Sequence, residues 1–250
     1  IFIEDNTLVN KNTTKAFFNE INKIINNCNG QLWHRDFLFK GNLSSLSKFL
    51  LRNGGESKQF YTNVIDLNLD ESALKINLRK SYKSLINWGL NKLSPTIYDH
   101  KNINIEHIES FRELHKNAAG RETRSRKSWI KQYEMIMNGK AFIVIGNYNK
   151  EMVSAGLFMH DSNVCYYGVS ASKRDLFDKP LFHSLMWKSM LHSKKIGCSY
   201  FETGEQIYDI SLPPSKQTNK EIGISNFKSG FGGDTKTFLD IKLELPLNGK

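Results

Sequence analysis

Ser225-Asn226-Phe227-Lys228-Ser229-Gly230-Phe231-Gly232-Gly233 is the stretch on which the reading of this chain turns. One cation stands here among three glycines and two phenylalanines. Glycine has no Cβ and lets backbone approach closely, so the Lys228 ammonium can face a charge that develops on a substrate oxygen. The same glycines also suit a bulged final hairpin, with Phe227 and Phe231 as ordinary core residues. A hairpin accounts for the glycines and phenylalanines but gives no reason for Lys228.

Working upstream, Leu181 to Lys195 has helical periodicity, with Pro180 at its first turn and Gly197 at its end, and Ser199 to Glu202 reads as a strand. Before them, Ala141 to Asn147, Met152 to His160 and Val164 to Ser170 are strand-like runs. Helices are expected near 104 to 117 and 127 to 138. In the front half, helices are expected over 14 to 27, over 43 to 51 with Asn42 or Ser44 near the cap, and over about 70 to 89 starting at Asp70, with a strand over 60 to 67. On the last of these helices Leu74, Leu78, Tyr82 and Leu85 share one face, while Lys75, Arg79 and Lys83 form a basic ridge that is either solvated or anion-binding. Residues 90 to 102, with Ser94-Pro95, show neither period and read as a connector. The expected domains are therefore 1–92, a connector over 93–103, and 104–250.

The C-terminal string resembles the Phe-Lys-x-Gly-Phe-Gly-Gly signature of FemAB-type proteins, which fuse two GNAT-like acyltransferase modules. Met186-Trp187 through Lys195-Ile196-Gly197, then Ser199-Tyr200-Phe201-Glu202-Thr203-Gly204, is similar to the helix, glycine and strand that precede that signature. Leu78-Arg79-Lys80-Ser81-Tyr82-Lys83-Ser84 resembles a helix closing the first module. The likeness covers roughly residues 45 to 240. It implies an α+β (mixed α/β) fold of two modules, each a mostly antiparallel mixed sheet flanked by helices, the first shortened at its front. Ile1-Phe2-Ile3-Glu4-Asp5 reads as sheet interior, which fits a piece of a longer chain.

The resemblance implies transfer of an acyl or aminoacyl group to an amine on a cell-wall peptide or a nucleotide-linked amino sugar. Lys228 is the catalytic candidate, with Phe227 acting through its backbone and Glu202 as a proton acceptor where relatives often carry Asp. Loss of one well-placed stabilising group in such a site costs on the order of 3 to 4 kcal/mol of barrier. Substrate contacts are expected from Arg79, Lys80, Tyr82, Gly204 and one of Arg121 or Arg124. The last two belong to a dense basic turn, with Arg126 and Lys127, whose guanidinium forks suit phosphate oxygens. Glu205 and Asp209 are further carboxylates near the site. No tightly bound cofactor is implied; the donor is an aminoacyl-tRNA or an acyl-CoA. Lys173 to Pro180, before the long helix, holds no glycine, unlike the pyrophosphate loop of single-module acetyltransferases.

Composition narrows the alternatives. Of 250 residues, 35 are Lys or Arg and 25 Asp or Glu, a net charge of +10 that favours anionic partners without choosing among them. A basic nucleic-acid-binding protein is the rival of another class, although aromatics are not interleaved with the basic ridges as stacking would require. A coenzyme A-dependent acetyltransferase of a sugar precursor is the rival within the enzymes. Cys28, Cys165 and Cys198 are odd in number and far apart, which excludes a disulfide framework or a zinc site of Cys-x-x-Cys type. The seven histidines have no metal-binding spacing, and His183 and His192 are expected to pack or to face solvent. No run approaches the roughly 20 apolar residues of a membrane span and no signal peptide is legible, so a cytoplasmic location is expected.

Overall fold

The computed structural model describes residues 11–27, 30–37, 42–207 and 219–245. Cys28, Asp209 and the opening Ile1 to Asp5 lie outside them. The described residues form eight α-helices and eight strands, a mixed α/β fold. The chain divides into two compact units, Ile1–Tyr61 with Lys236–Lys250, and Thr62–Thr235. This division falls elsewhere than the partition at 92/93 and 103/104 drawn from sequence.

The first unit contains α1 (Lys11–Asn27), β1 (Gly30–Phe37), α2 (Ser45–Arg52), the opening of β2 (Glu56–Asp66) up to Tyr61, and β8 (Asp234–Leu245) from Lys236 onward. β1 pairs antiparallel with β8, from Gly30 opposite Leu245 to Phe37 opposite Phe238. Ile21 and Ile25 of α1, Leu50 of α2, and Ile241 and Leu243 form its core. Ser44 caps α2 by accepting from the Ser47 N–H at 3.1 Å, and the buried Asp36 accepts from the Ser44 N–H and the Ser47 hydroxyl.

In the second unit the strand order is β2 (from Thr62), β7 (Tyr200–Gln206), β6 (Val164–Ser172), β5 (Glu151–His160), β4 (Ala141–Tyr148), β3 (Thr96–Tyr98). β4 shows why the sheet is covered on both faces. Ala141 through Gly146 are all buried, a continuous run rather than an alternation. Because successive side chains point to opposite faces, Phe142 and Val144 enter one core while Ala141, Ile143 and Ile145 enter the other. The first core is closed by α4 (Tyr82–Leu93) and α7 (His183–Lys195), the second by α5 (Ile105–Ala119) and α6 (Arg126–Met137). Each large apolar side chain so buried contributes about 1.5 to 3 kcal/mol before the entropy of ordering it.

Three expectations from sequence are corrected. The helix expected over 70 to 89 is two, α3 (Glu71–Asn77) and α4, because Leu78 is extended and the Arg79 N–H bonds the Gly230 carbonyl at 2.9 Å instead of continuing the helix. The ridge of Lys75, Arg79 and Lys83 therefore does not exist as one helical face. Residues 90 to 102 are no featureless connector: α4 runs on to Leu93, and Thr96–Tyr98 pairs with Ile143–Ile145. The Phe-Lys-x-Gly string is no hairpin, since Phe227 and Lys228 lie in the last turn of α8 (Asn219–Ser229). α7 starts at His183, two residues later than expected, with no side-chain cap.

Candidate active site

β6 and β7 are parallel and pair at three positions, Val164 with Tyr200, Cys165 with Phe201, and Tyr166 with Glu202. Beyond them β6 stays paired with β5 as far as Ser172, with a register shift between Leu157 and Phe158 that leaves Gly168 unmatched, while its pairing with β7 ends at Glu202. Gly204 lies two residues past the last pair with φ of +81°, a left-handed conformation costly for any residue with a Cβ. Next to this stretch of β6 lies a cavity of about 420 Å³. Tyr166, Tyr167, Gly168 and Ser170 of β6 form one wall; Lys220, Gly223, Ile224, Phe227 and Lys228 of α8 form the other.

Lys228 occupies the inner end. Its Nζ donates to the Glu205 carbonyl at 3.2 Å. A Cβ placed on Gly204 would sit 3.3 Å from Lys228 Nζ and 3.4 Å from the Tyr166 hydroxyl, so both polar ends converge on that bare backbone. Burial lowers the Lys228 pKa, and the carboxylates of Glu205 and Glu202 offset part of that shift. Glu202 accepts from the fully buried Thr62 hydroxyl at 2.9 Å, which fixes the carboxylate near the ammonium. A cation and a phenol thus line a water-accessible cleft with a carboxylate in electrostatic reach of the cation, the donor and acceptor set that acyl transfer to an amine uses.

The end of α8 is held from outside the helix. The last carbonyls of any helix lack intrahelical donors. Here Arg79 Nη2 donates to the Asn226 carbonyl at 2.8 Å, the Tyr82 hydroxyl to the Phe227 carbonyl at 3.0 Å, and the Arg79 N–H to the Gly230 carbonyl. The guanidinium also places positive charge at the negative end of the helix dipole and lies 5.2 Å from the Tyr82 ring centroid. Tyr82 is itself wedged edge-on against His183, centroids 4.6 Å apart, and against Phe231 at 5.1 Å. Burial raises the Tyr82 pKa and pulls that of His183 down to about 4. Phe231 is fully buried, whereas Phe227 is half-buried and lines the cavity.

The structure thus brings Lys228, Phe227, Glu202, Gly204, Arg79 and Tyr82 into one neighbourhood, the last two through the carbonyls of α8. Lys80 is exposed in the turn before α4. Arg121 and Arg124 lie in the turn between α5 and α6 and do not line the cavity. Arg124 meets His115 Nε2 at 3.2 Å, and Arg126 pairs with Glu109 at 2.8 Å. His192 packs edge-on against Phe142 at 4.5 Å. Among the described residues no cluster of His, Cys, Asp or Glu has metal-binding geometry, and no helix is long and apolar enough to cross a membrane. Tyr166, Tyr167, Ser170 and Lys220 were not singled out from sequence. The first three belong to an ordinary strand pattern, and α8 has too few apolar residues to announce itself as a helix.

No protein-family model and no curated protein matches the sequence. Solved structures do. FemX superposes with a TM-score of 0.71 over 95% of this chain and 78% of its own, at 14% identity. The chain has the FemX fold. L-PGS from Bacillus licheniformis aligns with a TM-score of 0.55 over 92% of this chain and 72% of its own, at 12% identity. A tandem GNAT protein from the clavulanic acid biosynthesis pathway aligns with a TM-score of 0.54 over 96% and 72%, at 13% identity. These likenesses agree with the FemAB-type, GNAT-like fold expected from the C-terminal string.

Proposed function

We propose that this FemX-fold chain is an N-acyltransferase that joins an acyl or aminoacyl group to an amine on a cell-wall peptide or nucleotide-linked amino sugar. The observation that carries the reading is the Lys228 ammonium at the inner end of the cleft, beside Glu202 and Tyr166. In the reaction the amine nitrogen attacks the donor carbonyl carbon and a tetrahedral oxyanion forms, which Lys228 stabilises. The carbon–oxygen bond of an aminoacyl ester, or the carbon–sulfur bond of a thioester, then breaks. Glu202, which Thr62 orients, takes the proton of the attacking nitrogen and passes it to the leaving oxygen or sulfur as that bond breaks. Positioning of both substrates supplies much of the remaining acceleration.

Phe227 enters this scheme through its backbone. Its carbonyl already accepts from the Tyr82 hydroxyl at 3.0 Å and from the Gly230 N–H at 3.3 Å, which occupies both lone pairs. Its part is therefore to anchor the helix end that carries Lys228. Arg79 and Tyr82, expected to contact substrate, act through the same anchor. Arg121, Arg124 and Lys80 remain candidates for contacts with acceptor phosphate outside the cavity.

For the donor, an aminoacyl-tRNA is favoured by the likeness to FemX, and an acyl-CoA by the likeness to the tandem GNAT protein. The segment before α7 is a short 3-10 turn, Arg174–Leu176, without glycine, which favours the aminoacyl donor. The nucleic-acid-binding alternative loses support because Arg79 is engaged on α8 and Arg126 on Glu109. The test is turnover with aminoacyl-tRNA or acetyl-CoA and a panel of nucleotide-linked amino sugars and peptides. Lys228→Ala should lower kcat about 100-fold or more at unchanged stability, in line with the loss of one oxyanion-stabilising group. Wild-type turnover by that variant refutes the assignment.

A further inference from the structure

The helix that carries Lys228 has little apolar grip on the rest of the protein. Of the eleven residues of α8 Ser225 alone is buried, 5% exposed, and its side chain is a hydroxyl. Burying a hydroxyl costs free energy unless it is hydrogen-bonded. Ser225 Oγ accepts from the Ile207 N–H at 2.9 Å. Three residues on, Lys228 Nζ donates to the Glu205 carbonyl at 3.2 Å. Residues three apart share a helix face, so the two bonds form one polar seam along the end of β7. The pairing of β7 with β6 ends at Glu202; past it, two side chains of α8 engage the β7 backbone. Ser225 is not among the residues that line the cavity, so any effect it has on the reaction passes through Lys228. A lysine stem is flexible, and its bond to a carbonyl aims the ammonium only as far as the helix beneath it is fixed. Arg79 and Tyr82 fix the last carbonyls of that helix, and Ser225 fixes its side toward β7.

We propose that Ser225 is a positioning residue: its bond to the Ile207 N–H holds α8 against the end of β7 and keeps the Lys228 ammonium turned into the cleft. The proposal rests on the acyl-transfer reading for what Lys228 does there, and not for the tie itself. Burial lowers the Lys228 pKa, so an ammonium released from the seam toward water titrates higher, which makes its position measurable.

The test compares wild type with Ser225→Ala and with Ser225→Thr, which keeps the hydroxyl. Amide hydrogen exchange follows the Ile207 N–H. Carbon-13 NMR of reductively methylated lysines, with Lys228→Arg to assign the signal, follows Lys228 through a pH titration. In Ser225→Ala the Ile207 amide should exchange about tenfold faster or more, and Lys228 should titrate at higher pH than in wild type because it is less buried. With a donor and acceptor that turn over, kcat should fall roughly 3- to 10-fold with KM little changed. Its decline at high pH, where the ammonium is lost, should move up with the Lys228 pKa. Ser225→Thr should stay close to wild type in every readout. Should Ser225→Ala lose its fold in thermal melts, Ser225→Cys, similar in size and only a weak acceptor, takes its place with the same expected directions. Faster Ile207 exchange with an unmoved Lys228 titration makes Ser225 a structural tie alone and overturns the proposal. So does an Ile207 amide that exchanges as in wild type, or a Ser225→Thr variant as impaired as Ser225→Ala. Full turnover by Lys228→Ala removes the acyl-transfer reading but leaves the exchange and titration results standing, so the two failures are distinguishable.

Discussion

Replacing Gly230 with Ala tests the anchoring of α8 most directly. A Cβ on Gly230 would land on the Tyr82 ring and hydroxyl. Tyr82 is 5% exposed and held between His183 and Phe231, so the ring has no room to swing away. Overpacking of this kind costs about 1 to 3 kcal/mol. If the backbone yields instead, the bonds from Arg79 N–H to the Gly230 carbonyl and from Tyr82 to the Phe227 carbonyl lengthen or break, at about 0.5 to 1.5 kcal/mol each. Either way the expected loss is about 1 to 3 kcal/mol, a sizeable share of the roughly 5 to 15 kcal/mol that holds a domain folded. Gly223→Ala is the control, the same change within α8 at a site with open space, where helix propensity predicts a gain of up to about 1 kcal/mol. Equilibrium urea unfolding followed by tryptophan fluorescence measures both. A Gly230→Ala variant within about 0.5 kcal/mol of wild type, the usual range of a neutral surface change, would refute the close-packed anchor.

Two further outcomes follow from the same neighbourhood. Tyr82→Phe keeps the ring but drops the bond to the Phe227 carbonyl; kcat should fall roughly 3- to 10-fold with KM little changed, and a change confined to KM would indicate direct substrate contact instead. His183 has a folded-state pKa near 4 against an ordinary 6.5, so between these values the unfolded chain binds a proton that the native chain does not. Stability should accordingly be intact above pH 6.5 and decline by about 3 kcal/mol as pH falls to 4. His183→Leu should flatten that decline in urea titrations across the same pH range, and an unchanged slope would assign it to other groups.

Much of the fold was legible in sequence because it is written in local periodicity. The run Ala141 to Asn147 announces a strand, Asp70 and one of Asn42 or Ser44 mark helix starts, and Lys228 stands out as a cation among glycines that no hairpin requires. The break between α3 and α4 was not legible, because Leu78 to Ser81 leave the helix for a hydrogen bond to Gly230, some 150 residues downstream. Local pattern carries no information about such a partner. The same holds for the cleft: the point where β6 and β7 stop pairing, the approach of Tyr166 to Lys228 at Gly204, and the bond from Thr62 to Glu202 all join residues distant in sequence. By itself the sequence determined which residues are apolar, which turn, and which carry charge. Tertiary structure alone decided which of those charges share one cavity, because long-range packing and the partners of otherwise unsatisfied carbonyls, rather than local propensity, set where each chain segment ends.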